Sequence, residues 1–198
     1  MQYLCDEKHS KKQMIQNGNG IIRADRGNNP AYRRMLAAVH KGELVRLRNG
    51  LYANPEALTG SVIDVGAIVP GGILCLYSAW SQYNLTTQIP DAFYVAVDRN
   101  RKITLPSFPD IRLVFQSREL LDIGKTEIEE QGITLPITDI ERSVCDAVKY
   151  RNKIGIDVMA EIIDNYLKRP DRNLSRLTEY AKLLRVYSAL HTILQVKL

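Results

Sequence analysis

The sequence predicts an α+β protein, and three observations carry that reading. Apolar residues recur at helical spacing over residues 32–39 and again through much of 139–198. Short strand-like runs bounded by Gly, Asn, Asp or Pro stand at 44–53, 93–97 and 111–115. Charge is segregated as well: of the net +5 carried by 198 residues, all falls in residues 1–60, where ten Lys or Arg face five acids. The rest is balanced, with seventeen of each sign. A basic head on a neutral body follows. The expected division is a small domain at residues 1–57 and a larger mixed α+β domain at 58–198 that ends in helices, a length that supports a sizeable core.

Taken in order, Ser10 caps a short helix running to about Ile15, stopped by Asn17-Gly18-Asn19-Gly20. Ile21 and Ile22 read as a short strand or core anchor. Asp25 to Asn29 is a loop or a very short helix. Pro30 suits the first turn of the next helix, with Asn29 as its cap. Tyr32, Met35, Leu36 and Val39 share that helix's buried face; Arg34, Ala37, Ala38 and Lys41 share the opposite one, with Arg33 on its flank. Gly42 ends it. Leu44 to Arg48 alternates apolar and basic, Asn49-Gly50 turns the chain through positive φ, and Leu51-Tyr52-Ala53 returns, with Tyr52 packed beneath. A helix is expected from Glu56 to Val69, closed by Pro70-Gly71-Gly72, and a buried one from about Ile73 to Tyr83. Strands follow at 93–97 and 111–115, with a turn-rich basic stretch at 98–102 between them. Further short strands occupy 119–138, turning at Gln131-Gly132. Three helices close the chain: from Asp139 as cap to about Tyr150, from Ile156 to Lys168, and from Leu174 nearly to the end.

Several classes are set aside. No apolar run approaches the roughly 20 residues of a membrane span, and the first residues lack a signal core, so a cytoplasmic protein is expected. Cys5, Cys75 and Cys145 have neither disulfide-framework nor zinc spacing; Cys75 and Cys145 read as small buried apolar residues. Pro90-Asp91 and Pro109-Asp110 are not followed by an acid two residues before a lysine, as a nuclease metal site needs. Gly60-Ser61 lacks the paired acids of a nucleotidyltransferase. No phosphate loop and no nucleophile elbow is present, and His9, His40 and His191 are scattered. Arg142 and Asp146, four apart, read as a helix salt bridge. No catalytic residue, metal or cofactor is expected.

The run helix, Gly, hairpin, with basic residues on the helix's outer face and along the hairpin, is that of a winged helix-turn-helix. A recognition helix enters the major groove with one apolar face held by its domain. Ala37 and Ala38 leave room for base edges. Arg34 offers a fork that matches guanine and Lys41 a point charge for phosphate. Arg46 and Arg48, alternating along the wing, face one side and grip flanking backbone. The candidate DNA-contacting set is Lys11, Lys12, Arg33, Arg34, Ala37, Ala38, Lys41, Arg46, Arg48 and Asn49. The competing reading is a protein-interaction module that uses the C-terminal helices, whose Leu174, Leu177, Tyr180, Ala181, Leu184, Tyr187, Leu190, Ile193 and Leu194 form a stripe fit for either core or interface.

Three stretches, in order, resemble the AbiEi antitoxins of type IV abortive-infection toxin–antitoxin pairs. Lys41 to Ala53 resembles that family's wing phrase. Leu76-Tyr77-Ser78-Ala79-Trp80, with Asn84-Leu85 and Pro90, is similar to its segment ahead of a core strand. Ile140-Glu141-Arg142-Ser143-Val144-Cys145-Asp146 is similar to its E-R-T-x-x-D helix start, with Ser143 in the Thr place. The resemblance covers roughly residues 12–150. It departs from the family before the recognition helix, where Arg23 to Asn29 is short and rich in Gly and Asn. It implies a regulator that binds its own operator on double-stranded DNA, represses its operon, and counters a nucleotidyltransferase toxin without a stable complex. Whether it sits on DNA as a homodimer stays open.

Overall fold

The computed structural model describes residues 15–17, 20–24, 29–58 and 63–197. The described chain is a mixed α+β protein and forms two compact units. One comprises residues up to Val69 together with Ile103–Pro109; the other comprises Pro70–Lys102 and the chain from Asp110 onward.

In the first unit, strands β1 (Ile15–Asn17) and β2 (Ile21–Arg23) precede helix α1 (Asn29–His40). The hairpin β3 (Val45–Arg48) and β4 (Leu51–Ala53) follows. The sheet order is β1-β2-β4-β3, antiparallel throughout. The helix expected to run to Ile15 falls mostly outside the described residues, and Ile15 itself is in β1. Asn17 pairs with Ile21, so the Asn-Gly-Asn-Gly signal separates two paired strands. Such residues mark a break in regular structure without saying which kind precedes it. Ile22, Met35, Leu44 and Tyr52 form the core between α1 and the sheet.

The helix expected over Glu56–Val69 is replaced by two short pieces, a 3-10 turn at Pro55–Leu58 and helix α2 (Val65–Ile68). Asp64 starts the second afresh: its carboxylate accepts from the Ala67 N–H at 2.8 Å, which favours a new helix start over a continuous one.

The second unit is built on a sheet in the order β7-β6-β5-β9-β8. Its strands are β5 (Ile73–Leu74), β6 (Phe93–Asp98), β7 (Ile111–Gln116), β8 (Lys125–Glu130) and β9 (Ile133–Thr138). β5 lies antiparallel to β6 and parallel to β9. The buried helix expected over 73–83 is therefore strand and then helix, α3 (Tyr77–Gln82). Ile73 to Leu76 is a fully buried apolar run, and such a run has no period by which a central strand differs from a helix. Between β7 and β8 the chain forms helix α4 (Arg118–Asp122) where strands were expected. The β8–β9 turn matches the expectation, with Gln131 and Gly132 at φ 52° and 77°.

Helices α5 (Ile140–Ile154), α6 (Ile156–Leu167), α7 (Leu174–Leu183) and α8 (Tyr187–Lys197) complete the unit. Asp139 caps α5 as expected, accepting from the Arg142 N–H at 2.8 Å. The last helix is two helices, because the chain turns at Arg185 (φ 60°). Leu184 and Val186 on either side are both buried, so the apolar spacing continues through the break and conceals it. Among the described residues no helix is long and apolar enough to cross a membrane.

The expected Arg142–Asp146 pair forms at 3.1 Å, with side chains 1% and 0% exposed. It is not a surface pair. Arg142 Nη1 donates to the carbonyls of Leu120 (2.5 Å) and Ile123 (2.9 Å), and Nη2 to Gln116 Oε1 (2.7 Å). Burial pushes the Asp146 carboxyl up, and the neighbouring Arg142 pulls it part of the way back. Truncating one partner of a buried pair leaves the other charge unpaired, at a cost of about 3–5 kcal/mol. Asp146→Ala should therefore destabilise the second unit by about that much, and Asp146→Asn, which keeps an acceptor for Nε, by less. Urea unfolding followed through Trp80, the chain's single tryptophan, measures both; equal, small losses would show that Arg142 needs no anion.

Candidate nucleic-acid interface

The first unit brings most of the described candidate residues onto one helix and one hairpin. The sequence fixes how the helix ends. Gly42 takes φ 76°; its N–H donates to the Val39 carbonyl (3.0 Å), and that of Glu43 to Ala38 (2.9 Å). This paired pattern closes a helix on a left-handed residue. It turns the chain at once into Leu44, whose buried side chain joins the core. Ala24 N–H donates to the Gly50 carbonyl at 2.9 Å, tying the exit of β2 to the tip of the β3–β4 hairpin.

On α1, Met35 is buried and Tyr32, Leu36 and Val39 are half-buried, while Arg33, Arg34 and Ala37 are exposed. Lys41, exposed, lies in the turn just beyond the last helical residue. Arg34 Nε donates to the Pro30 carbonyl at 3.4 Å. Ala38 departs from the expected outer face: it is half-buried and packs against the core cluster. The helix leans on the α1–β3 connection through the Ala38 carbonyl, which accepts from both Glu43 and Leu44. That contact rolls Ala38 inward.

The hairpin also differs from regular alternation. Arg46 pairs with Tyr52 and Arg48 with Leu51, so the register slips by one residue between them. Leu47 is buried, Arg46 exposed and Arg48 half-buried, its Nε buried without a hydrogen-bond partner among the described residues. A bulge places two residues against one and breaks the two-residue period, so the equivalence expected of Arg46 and Arg48 is lost. At the turn Gly50 alone takes positive φ (79°); Asn49 does not. The Asn49 side chain has another task, since its Oδ1 accepts a hydrogen bond from Arg46 Nη2. Tyr52 is buried under the hairpin, as expected. Lys11 and Lys12 lie outside the described residues.

One basic residue escaped the sequence reading. Arg23 is exposed on β2 and pairs with Leu51, which on its other side pairs with Arg48. Two strand spacings, about 10 Å, separate the Arg23 and Arg48 backbones. Only the sheet order reveals that neighbourhood.

In the second unit Glu141 is held within the fold. Glu141 Oε1 accepts from the Tyr166 hydroxyl (3.2 Å) and the Asn173 N–H (3.0 Å). Cys75 and Cys145 are free and buried; burial pushes both thiols up, Cys145 to about 12, so neither offers a thiolate. Of the C-terminal stripe, Leu177, Ala181, Leu184 and Leu190 belong to the core, which leaves Leu174 and Tyr187 exposed. Among the described residues no three His, Cys, Asp or Glu are placed to hold a metal. No protein-family model matches the chain, and a search of curated proteins finds no match either.

Gly42 carries a conformational prediction. A Cβ there meets nothing within 4 Å, so Gly42→Ala tests the backbone alone. Left-handed geometry costs an L-residue roughly 1–2 kcal/mol. The variant should lower the stability of the first unit by that amount, read as faster amide exchange across β3 and β4. Unchanged exchange would show that the positive φ is dispensable.

Proposed function

We propose that the protein is a DNA-binding transcriptional regulator whose first unit is a winged helix. One observation carries this reading: β2, α1 and the β3–β4 hairpin follow the strand–helix–hairpin order of that motif, with β2 paired to the returning strand. That frame exposes Arg33, Arg34, Lys41 and Arg46. The segregated charge supports it, since a basic head attracts a polyanion and a neutral body does not. α1 is the recognition helix. Arg34 and Lys41 reach base edges or phosphates, and Arg46 contacts flanking phosphate. Fewer residues of the C-terminal stripe are available to an interaction module than its spacing suggested, because much of it is core.

The ordered resemblance to AbiEi antitoxins extends the proposal. The protein represses its own operon and counters a neighbouring nucleotidyltransferase toxin, without a catalytic step or cofactor of its own and in the cytoplasm. The two later stretches of that resemblance meet in the second unit, where Trp80 Nε1 donates to the Ser143 carbonyl at 2.9 Å.

The experiment is a fluorescence-anisotropy titration of DNA from upstream of the protein's own gene, with a random duplex as reference. Arg34→Ala with Lys41→Ala should weaken binding to the upstream DNA by about ten- to a hundredfold, the scale of losing a base-contacting arginine. Unchanged affinity in a folded double variant would remove α1 from the interface. Arg46→Ala should instead weaken both duplexes by similar factors and flatten the slope of log affinity against log salt by about 0.9. Asn49→Ala keeps the charge and loses only its tether, so it should weaken binding less and leave the salt slope intact. An Arg46→Ala variant with an unaltered slope would take the hairpin off the phosphates.

A further inference from the structure

The second unit contains a half-open groove of about 410 Å³, lined in part by Leu76, Tyr77, Tyr94, Val114, Tyr150 and Lys153. That volume lies in the lower half of the range for small-molecule sites, which are mostly apolar with a few fixed polar groups. No role described so far uses it.

Its walls are aromatic and held in place. The Tyr77 ring lies 5.2 Å from that of Tyr94 and 4.9 Å, edge-on, from that of buried Trp80. Tyr94 is fixed at both ends: its N–H donates to Ser78 Oγ (2.8 Å), and its hydroxyl accepts from Arg112 Nη1 (2.7 Å). Arg112 in turn is paired with Asp91 at 2.6 Å. Leu76 carries strain beneath these rings. Its φ of 48° and ψ of −128° form a sharp turn from β5 into α3 that glycine would make freely. Strain of this kind in a side-chain-bearing residue gathers at ligand sites. Here the turn places both Leu76 and Tyr77 in the groove.

The charge is uneven. Arg112 is neutralised by Asp91, whereas Lys153 has no acidic partner among the described residues, and its ammonium stands 5.8 Å from the centre of the Tyr150 ring. Burial first, then the Tyr94 phenol, Asp157 and Asp91, push the Tyr77 phenol up, so it stays a neutral donor beside negative charge. Lys153, whose charge no acid offsets, is the cation on the groove wall that can receive an anion.

We propose that this groove binds a planar aromatic monoanion, an aryl carboxylate or sulfonate, with its ring against the tyrosines and its acid group on Lys153. The site would give the chain a small-molecule input. It stands on the second unit alone and does not depend on the DNA-binding reading.

The test titrates the full chain with the arylsulfonate 1-anilinonaphthalene-8-sulfonate and, in parallel, with uncharged N-phenyl-1-naphthylamine, without DNA. The sulfonate should bind saturably, one per chain. Lys153→Gln, at an exposed position, should weaken the sulfonate about tenfold, as loss of a charge-assisted hydrogen bond does, and leave the neutral dye unchanged. Val114→Trp should fill the groove and abolish both, with circular dichroism confirming the fold. Equal response of the two dyes to Lys153→Gln would overturn the proposal, as would full binding to folded Val114→Trp. Dye binding that disappears as gel filtration shows the chain self-associating would assign the groove to a second copy and overturn it too.

Discussion

A guanidinium with almost no access to water organises the second unit. Arg142 has five N–H groups, and its Nε, Nη1 and Nη2 reach four acceptors on three different parts of the chain. Two of these are carbonyls at the end of α4, a helix of five residues whose last carbonyls have no partner within it. Arg142 supplies the missing donors from a neighbouring helix. The same side chain holds Gln116 at the end of β7 and Asp146 one turn along α5. It thereby fixes edge strand, short helix and central helix together. Gly124 is part of the same arrangement. A Cβ there would stand 2.5 Å from the Cβ of Arg142, and φ is +66°, so the approach of β8 to α5 requires glycine on both steric and backbone grounds.

The polar residues at the start of α5 extend this framework. Ser143 shares a hydrogen bond with Thr138 (2.9 Å) and donates to the Asp139 carbonyl (2.7 Å), while its own carbonyl receives Trp80. Glu141 joins α6 to the entry of α7 through Tyr166 and Asn173. A buried charge is tolerable only where its hydrogen-bonding capacity is largely met. Arg142 and Glu141 are engaged in that way, while Asp146 is met through Oδ1, its Oδ2 being buried without a hydrogen-bond partner among the described residues; the i, i+4 spacing alone shows this framework only as one salt bridge.

What could be read in advance follows the physics of each signal. α1, the β3–β4 hairpin, β6, β7 and the β8–β9 turn were legible because period and turn residues act within a few positions. Asp139 was legible as a cap for the same reason. β5 was not, since a two-residue strand buried on both faces presents only apolarity. The division of the last helix was hidden because Leu184 and Val186 remain on the core side across the turn. In the candidate interface, the spacing of Arg34 and Lys41 was readable from helical geometry. The inward roll of Ala38 and the bulge at Leu47 arise from how α1 packs and how β3 meets β4. Arg23 became visible only with the sheet order, because its neighbourhood with Arg48 depends on strands far apart in sequence.

The bulge has a consequence for how the basic residues would act on DNA. In a regular strand Arg46 and Arg48 would be equal, mobile cations, each losing up to about 2 kcal/mol of rotamer freedom on being fixed. Here they are differently committed. Arg46 is already tethered to Asn49 at the tip of the hairpin, so part of its ordering cost is met before any phosphate arrives. Arg48 has its Nε buried and presents less of its guanidinium to solvent. On the DNA-binding reading, preorganisation of Arg46 shifts the hairpin's contribution onto a single side chain. On that reading binding would lose less entropy, and the phosphate contact would be positioned relative to β2 by the Ala24–Gly50 hydrogen bond at the hairpin tip. On the same reading, a hairpin held in this way would set the register in which α1 meets the bases without reading any base itself.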